Sequence, residues 1–275
     1  MDLMRSAKRC CGLVGLGMGV IGLPGCGALL WPSSDKLEEI AGAIEERLAA
    51  MDADLALAAT AIAGSGLDSA ATRATLSALC DRYPAVVDCS TVDPQGVLVA
   101  VEPEAFHDAQ GADISDQPQV IEVLQEKHPV MSDLFMAVEG FPALDFEYPL
   151  LANGMSLGAV SMLFKPADYF AGIIEPLLED TDYLCMVVQT DGVILYDVDS
   201  NQVGRDTFND PMYADFSSLL EFARLYLSTP SGTDTYEFTD SGSGRLVTKY
   251  ARWTTIRFHG AQWRVLLIRE GPVAN

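Results

Sequence analysis

From residue 34 the apolar positions recur at helical steps. Leu37, Ile40, Ile44, Leu48, Met51, Leu55 and Ile62 fall on one stripe, which predicts a long amphipathic helix. Ser33-Ser34-Asp35 with Glu38 three residues on supplies its start signal, and Gly64-Ser65-Gly66 breaks it. About thirty helical residues would extend about 45 Å, the length of a spine. Asp68-Ser69 caps a shorter helix that ends at Arg82-Tyr83-Pro84.

The period then changes to that of strands. Val86 to Val92 and Val97 to Val101 surround the turn Asp93-Pro94-Gln95-Gly96. A polar stretch from Glu102 to Lys127 follows, with a helix expected at Gln119 to Glu126 and a strand at Val130 to Val138. Next come two apolar runs, Phe146 to Leu151 and Ala159 to Phe164, separated by Asn153-Gly154. A pair tolerant of positive φ between such runs predicts a β-hairpin. Lys165-Pro166-Ala167-Asp168 stops the second strand and opens a helix through Leu178. The order then repeats: strands at Leu184 to Thr190 and Val193 to Tyr196 around Asp191-Gly192, a helix at Phe216 to Leu227, and strands at Tyr236 to Thr239, Val247 to Ile256 and Gln262 to Ile268.

Tyr148-Pro149-Leu150, Asn153-Gly154 and Gly158-Ala159-Val160, followed by a helix, resemble the end of a module of the Cache family, the extracellular PAS-like ligand-binding domains of microbial receptors. In the second copy Gly204-Arg205-Asp206 and Asp210-Pro211 stand where that family carries a loop with Gly and Asp before its helix. With the leading helix and the internal repeat, the chain is similar to double Cache proteins over residues 34 to 270. The fold class implied is α+β: a long N-terminal helix followed by two PAS-like modules, each a central antiparallel sheet with flanking helices. The expected divisions are a helical spine at 34–82, a membrane-distal module at 83–168, a connecting helix at 169–181 and a membrane-proximal module at 182–270.

The N-terminus sets the compartment. Arg5, Lys8 and Arg9 precede an apolar run and then Leu23-Pro24-Gly25-Cys26, the layout of a secretory signal peptide at 1–25. Leu-Pro-Gly-Cys looks like a lipobox, which would make Cys26 the lipid attachment point; an uncleaved membrane helix over Gly12 to Trp31 is the alternative. Either places the rest outside the cell, at the outer face of the cytoplasmic membrane. Removing three basic residues and Asp2 from totals of 17 and 39 leaves 14 Lys and Arg against 38 Asp and Glu, a net charge of −24. That surface repels nucleic acid, which is excluded as a partner. In an oxidising compartment Cys80 and Cys89 could pair across the turn at Pro84, or both could stay buried thiols, with Cys185 left over.

Candidate chemistry is sparse. His107, His128 and His259 stand alone, so no zinc spacing exists, and no phosphate loop or dinucleotide fingerprint calls for a cofactor. Gly154-Met155-Ser156-Leu157-Gly158 matches a nucleophile elbow, but a strand rather than a helix follows it and no alternating βα pattern surrounds it. The chain is therefore not expected to be an enzyme. The Cache resemblance implies a small ligand in the distal module, held by the insertion, the strand after it and the penultimate strand. The candidates there are Asp116, Gln119, Ser132, Asp133, Phe135, Asp145, Glu147 and Tyr148, of which alternation lets about half face inward; Asp197 in the second module is the expected bystander. Family members that bind amino acids carry Arg with Trp or Tyr in the insertion, whereas Asp108 to Asp133 has none of these. A ligand without a free carboxylate is therefore expected. With no output region recognised after Ile268, a separate receptor or transporter partner would take the signal. A structural lipoprotein without a ligand and a secreted hydrolase are the alternatives.

Overall fold

The structure, a computed structural model, describes residues 31–239 and 245–271. Helix α1 spans Ser34–Ser65. The Ser33 hydroxyl caps it by accepting from the Lys36 amide at 3.3 Å, and Gly66, at φ 87°, ends it. It is long and apolar enough to cross a membrane, yet its stripe from Leu37 to Ile62 is buried in the protein's core. Helix α2, Ala70–Arg82, starts at Ser69, whose hydroxyl accepts from Thr72.

The first sheet contains β1 (Val86–Val92), β2 (Leu98–Glu102), β3 (Val130–Met131), β4 (Phe135–Met136), β5 (Pro142–Ala152) and β6 (Met155–Phe164). It is antiparallel in the order β2-β1-β6-β5-β3, with β4 also paired to β5. Asn153 and Gly154, at φ 50° and 78°, make the β5–β6 turn, as a two-residue hairpin requires. A short 3-10 helix, Glu104–Ala109, and α3, Pro118–Glu126, form the insertion. The strand expected at Val130 to Val138 is broken into β3 and β4. The break follows from competing partners: the Leu134 amide leaves the ladder to donate to Gln189 Oε1 at 2.6 Å.

Gly158 sits at φ 128° where β6 crosses β1, and an added Cβ would lie 2.0 Å from the Val92 carbonyl oxygen. Ser156 lies within β6 and its hydroxyl accepts from the Gly158 amide at 3.3 Å. The Gly-x-Ser-x-Gly run is therefore a strand at a tight approach, not an elbow presenting a nucleophile.

Helix α4, Pro166–Leu178, starts at its proline, three residues before the connecting helix expected from sequence. The second sheet holds β7 (Tyr183–Gln189), β8 (Ile194–Asp197), β9 (Gly232–Thr239), β10 (Leu246–Phe258) and β11 (Ala261–Glu270), with α5 at Ser217–Ser228. Its order, β8-β7-β11-β10-β9, repeats that of the first. One hydrophobic core joins α1 to both sheets, from Ile40 and Leu48 to Phe146 and Trp263. At the junction the β10–β11 turn reaches the first module: Phe146 stacks on His259 with centroids 5.3 Å apart. Asp52 of α1 accepts from Tyr148 at 2.7 Å and pairs with His259 at 2.8 Å. Cys80, Cys89 and Cys185 are free thiols; Cys80 donates to the Glu102 carbonyl at 3.2 Å instead of closing a disulfide.

Candidate functional site

Alternation divides the residues of the first sheet between two faces. Leu144, Phe146 and Leu150 of β5, with Val160, Met162 and Phe164 of β6, turn toward α1 and join the shared core. The opposite face should be equally apolar beneath the insertion, but two of its rungs are polar. One rung reads Asp88, Leu163, Asp145 across β1, β6 and β5; the next reads Ser90, Ser161, Glu147. The Ser90 and Ser161 hydroxyls are 3.1 Å apart, and Ser132 Oγ accepts from the Asp145 amide at 2.8 Å.

The three carboxyl groups are nearly dry: Asp88 is 2% exposed, Asp145 5% and Glu147 0%. None forms an ion pair among the described residues. Burial pushes the Asp145 carboxyl up to about 7. Burial and then the Asp145 charge raise Glu147 well above the usual range. Asp88 is raised too, by burial first and then by Glu139 and Asp145. Among the described residues Asp88 Oδ2, Asp145 Oδ1 and both Glu147 carboxyl oxygens have no hydrogen-bond partner. Asp88 and Asp145 line a cavity of about 20 Å³ walled by Phe135, Ala137, Val138 and Glu139, room for about one water.

Residues 46–166 match the family described as HK/GC/Chemotaxis protein-like, sensor domain. Over that span the chain is similar to a sensor domain of this family. The matched span runs from the middle of α1 to the first residue of α4 and includes all of the first sheet. An extracellular ligand binding receptor from Desulfohalobium retbaense is similar at TM-score 0.70 and 29% identity over 86% of this chain, which spans 41% of that receptor's chain. The ligand-binding domain of the Pseudomonas fluorescens chemoreceptor CtaA, in complex with L-isoleucine, gives TM-score 0.62 at 18% identity, covering 86% of this chain and 90% of its own. That of the Pseudomonas aeruginosa amino acid chemoreceptor PctB, in complex with L-Gln, gives 0.61 at 16% identity over 86% and 88%. At these identities the two Pseudomonas domains establish the double PAS-like fold of Cache proteins. The family is one of sensors rather than enzymes. No curated protein matches the sequence.

Within the first module the sequence-derived candidates separate. Asp145, Glu147 and Phe135 converge on the buried face, and Ser132 braces Asp145. Gln119 is buried at the start of α3, where its amide donates to Gln117 at 2.8 Å. Asp116 is exposed. Asp133 is exposed as well and faces the second module, its carboxyl raised by partial desolvation and by Asp191. Tyr148 does not line the pocket: one residue after Glu147 on β5, it points to the spine and is held by Asp52. Asp88, Ser90, Ser161 and Glu139 were not among the candidates. Polar residues at alternate positions of an otherwise apolar strand, Asp88 and Ser90, were the available signal. Cys26 lies outside the described residues. A larger cavity, about 210 Å³, lies in the second module and includes Asp197 in its wall.

Proposed function

We propose that this chain is an exported, membrane-anchored sensor that binds a small molecule bearing a cationic or hydrogen-bond-donating group on Asp145, Glu147 and Asp88 of its first module. The observation that carries it is a cluster of three buried carboxyl groups beneath the insertion that no cation pairs with among the described residues. Buried charge without a partner is costly in a domain that needs it only for packing. A ligand ammonium or amide would supply the missing donors and favour ionised Asp145. The L-isoleucine and L-Gln of the two Pseudomonas receptors each carry an ammonium and a carboxylate; the acids here match the first and repel the second. Lys127, the one insertion residue with a permanent positive charge after Asp108, turns outward to the Gly154 carbonyl at 3.2 Å.

The cavity of about 20 Å³ is smaller than any such ligand, so binding selects a state in which the wall from Phe135 to Glu139 has moved. That wall continues into Leu134, whose amide is held by Gln189 of the second module. Ligand occupancy therefore changes the contact between modules. A ligand-library thermal shift screen on the full chain is the test. The expected hit lacks a free carboxylate, and Asp145→Asn weakens it about ten- to a hundredfold, as loss of a charge-assisted hydrogen bond worth about 1.5 to 3 kcal/mol implies. Asp116→Asn leaves its affinity unchanged. An amino acid held by its carboxylate, or a hit indifferent to Asp145, overturns the proposal.

Anchoring is assigned to a lipid on Cys26. Wild type is expected to partition into detergent, and Cys26→Ser to be released or to retain its leader; stable anchoring takes two acyl chains or their equivalent. Mass spectrometry that finds unmodified Cys26 within an intact N-terminus would favour the membrane-helix alternative.

A further inference from the structure

The second module repeats the strand order of the first, and its outer face is covered by α5 as the first is by α3. On that face the repeat has diverged in what it encloses. Where the first module leaves about 20 Å³, the second leaves about 210 Å³, about seven water volumes at roughly 30 Å³ each. Rings of Tyr213, Tyr226, Tyr236 and Phe238 line it, and Asp197, at the end of β8, contributes a carboxylate.

The charges inside do not balance. Lys249 is engaged by Glu270 at 3.4 Å and lies 5.2 Å from the centre of the Phe238 ring. Asp197 accepts from the Asp199 amide at 2.8 Å, and no ion pair reaches it among the described residues. Burial raises its carboxyl to about 6, opposed by the Asp199 amide and by the neighbouring Lys249 charge. A carboxylate facing several aromatic rings is complementary to an organic cation, whose charge the ring faces also attract.

We propose that the second module holds its own site for a small organic ammonium, with Asp197 pairing with the charge and Tyr213, Tyr236 and Phe238 enclosing the apolar part. It is separate from the first-module site and does not depend on it. The two outer faces are built on different sheets and share no lining residue.

Three probes of nearly equal size and different charge test this on the full chain in detergent: benzylamine, benzyl alcohol and benzoate, titrated at pH 7.5 by saturation-transfer NMR. Benzylammonium is expected to bind saturably, benzyl alcohol at least tenfold more weakly, and benzoate not at all. Asp197→Asn, which keeps an acceptor for the Asp199 amide, is expected to weaken benzylammonium at least tenfold. Leu219→Trp, which fills the cavity from α5, is expected to abolish binding, and it decides the matter should Asp197→Asn not fold. Benzoate binding as tightly as benzylammonium, no saturable binding in wild type, or binding that survives Leu219→Trp overturns the proposal. Loss with Asp145→Asn but not with Asp197→Asn would place the amine in the first module and equally overturn it.

Discussion

Asp145→Asn is expected to raise the thermal stability of the ligand-free protein at pH 8 and to change it far less at pH 5. In the folded chain burial lifts the Asp145 carboxyl from 3.8 to about 7, whereas the unfolded chain holds it near the ordinary value. The folded state therefore binds the proton more tightly. Its contribution is fully present below about pH 4 and is lost as pH rises through 7. Above pH 7 the ionised, buried group costs up to about 4 kcal/mol, about 8 to 16 °C in melting temperature for a chain of this size. Asn removes that cost. Glu147 and Asp88, raised in the same direction, should add to the stability that wild type loses as pH rises. The net charge of −22 adds a general penalty at high pH, but wild type and variant share it, so their difference isolates the buried group. Equal stability changes at pH 5 and pH 8 would show that Asp145 is not buried as an acid; a ligand that cancels the difference would be the cation the site lacks.

The spine, the hairpin and the repeated strand order could be read in the chain because each rests on a local period or a turn residue. Leu37 to Ile62 keep helical spacing, and Asn153-Gly154 fixes a two-residue turn whatever surrounds it. The broken strand at 130–138 could not be read in the same way, since Gln189, 55 residues on, takes the Leu134 amide. The site was half legible for a related reason. Asp145 and Glu147 share a face by alternation, and the same alternation carries Tyr148 to Asp52, but only the register with β1 reveals that Asp88 and Ser90 complete the two rungs. The cavity beside Asp197 depends on side-chain volumes and on how α5 sits, which no period in the sequence encodes.

Contacts across the module boundary suit a relay. The His259 turn is held between Phe146 and Asp52, and Met131, at the edge of the insertion, donates its amide to the His259 carbonyl at 3.0 Å. Movement in the wall from Phe135 to Glu139 meets this boundary at Leu134. Packed cores are bistable rather than continuously deformable, so a small displacement there can be passed on as a change of contact.

Leu48→Ala is expected to destabilise the whole protein by about 2 to 5 kcal/mol, the range for removing a fully buried leucine. Leu48 is 1% exposed, on the face of α1 that belongs to the core shared by both sheets. The length of α1 spreads its contacts: near the N-terminal end Lys36 donates to the Leu177 carbonyl at 3.1 Å, and further along Asp52 receives Tyr148 and His259. A cavity at Leu48 therefore weakens a core that neither sheet can close without the helix. Unfolding should remain a single transition, shifted to lower temperature or denaturant concentration with an unchanged slope. Leu55→Ala should behave alike, whereas Glu45→Gln, on the exposed face, should stay within about 0.5 kcal/mol of wild type. Two separate transitions, only one of them sensitive to Leu48, would mean that the modules fold independently and that α1 is not their common core.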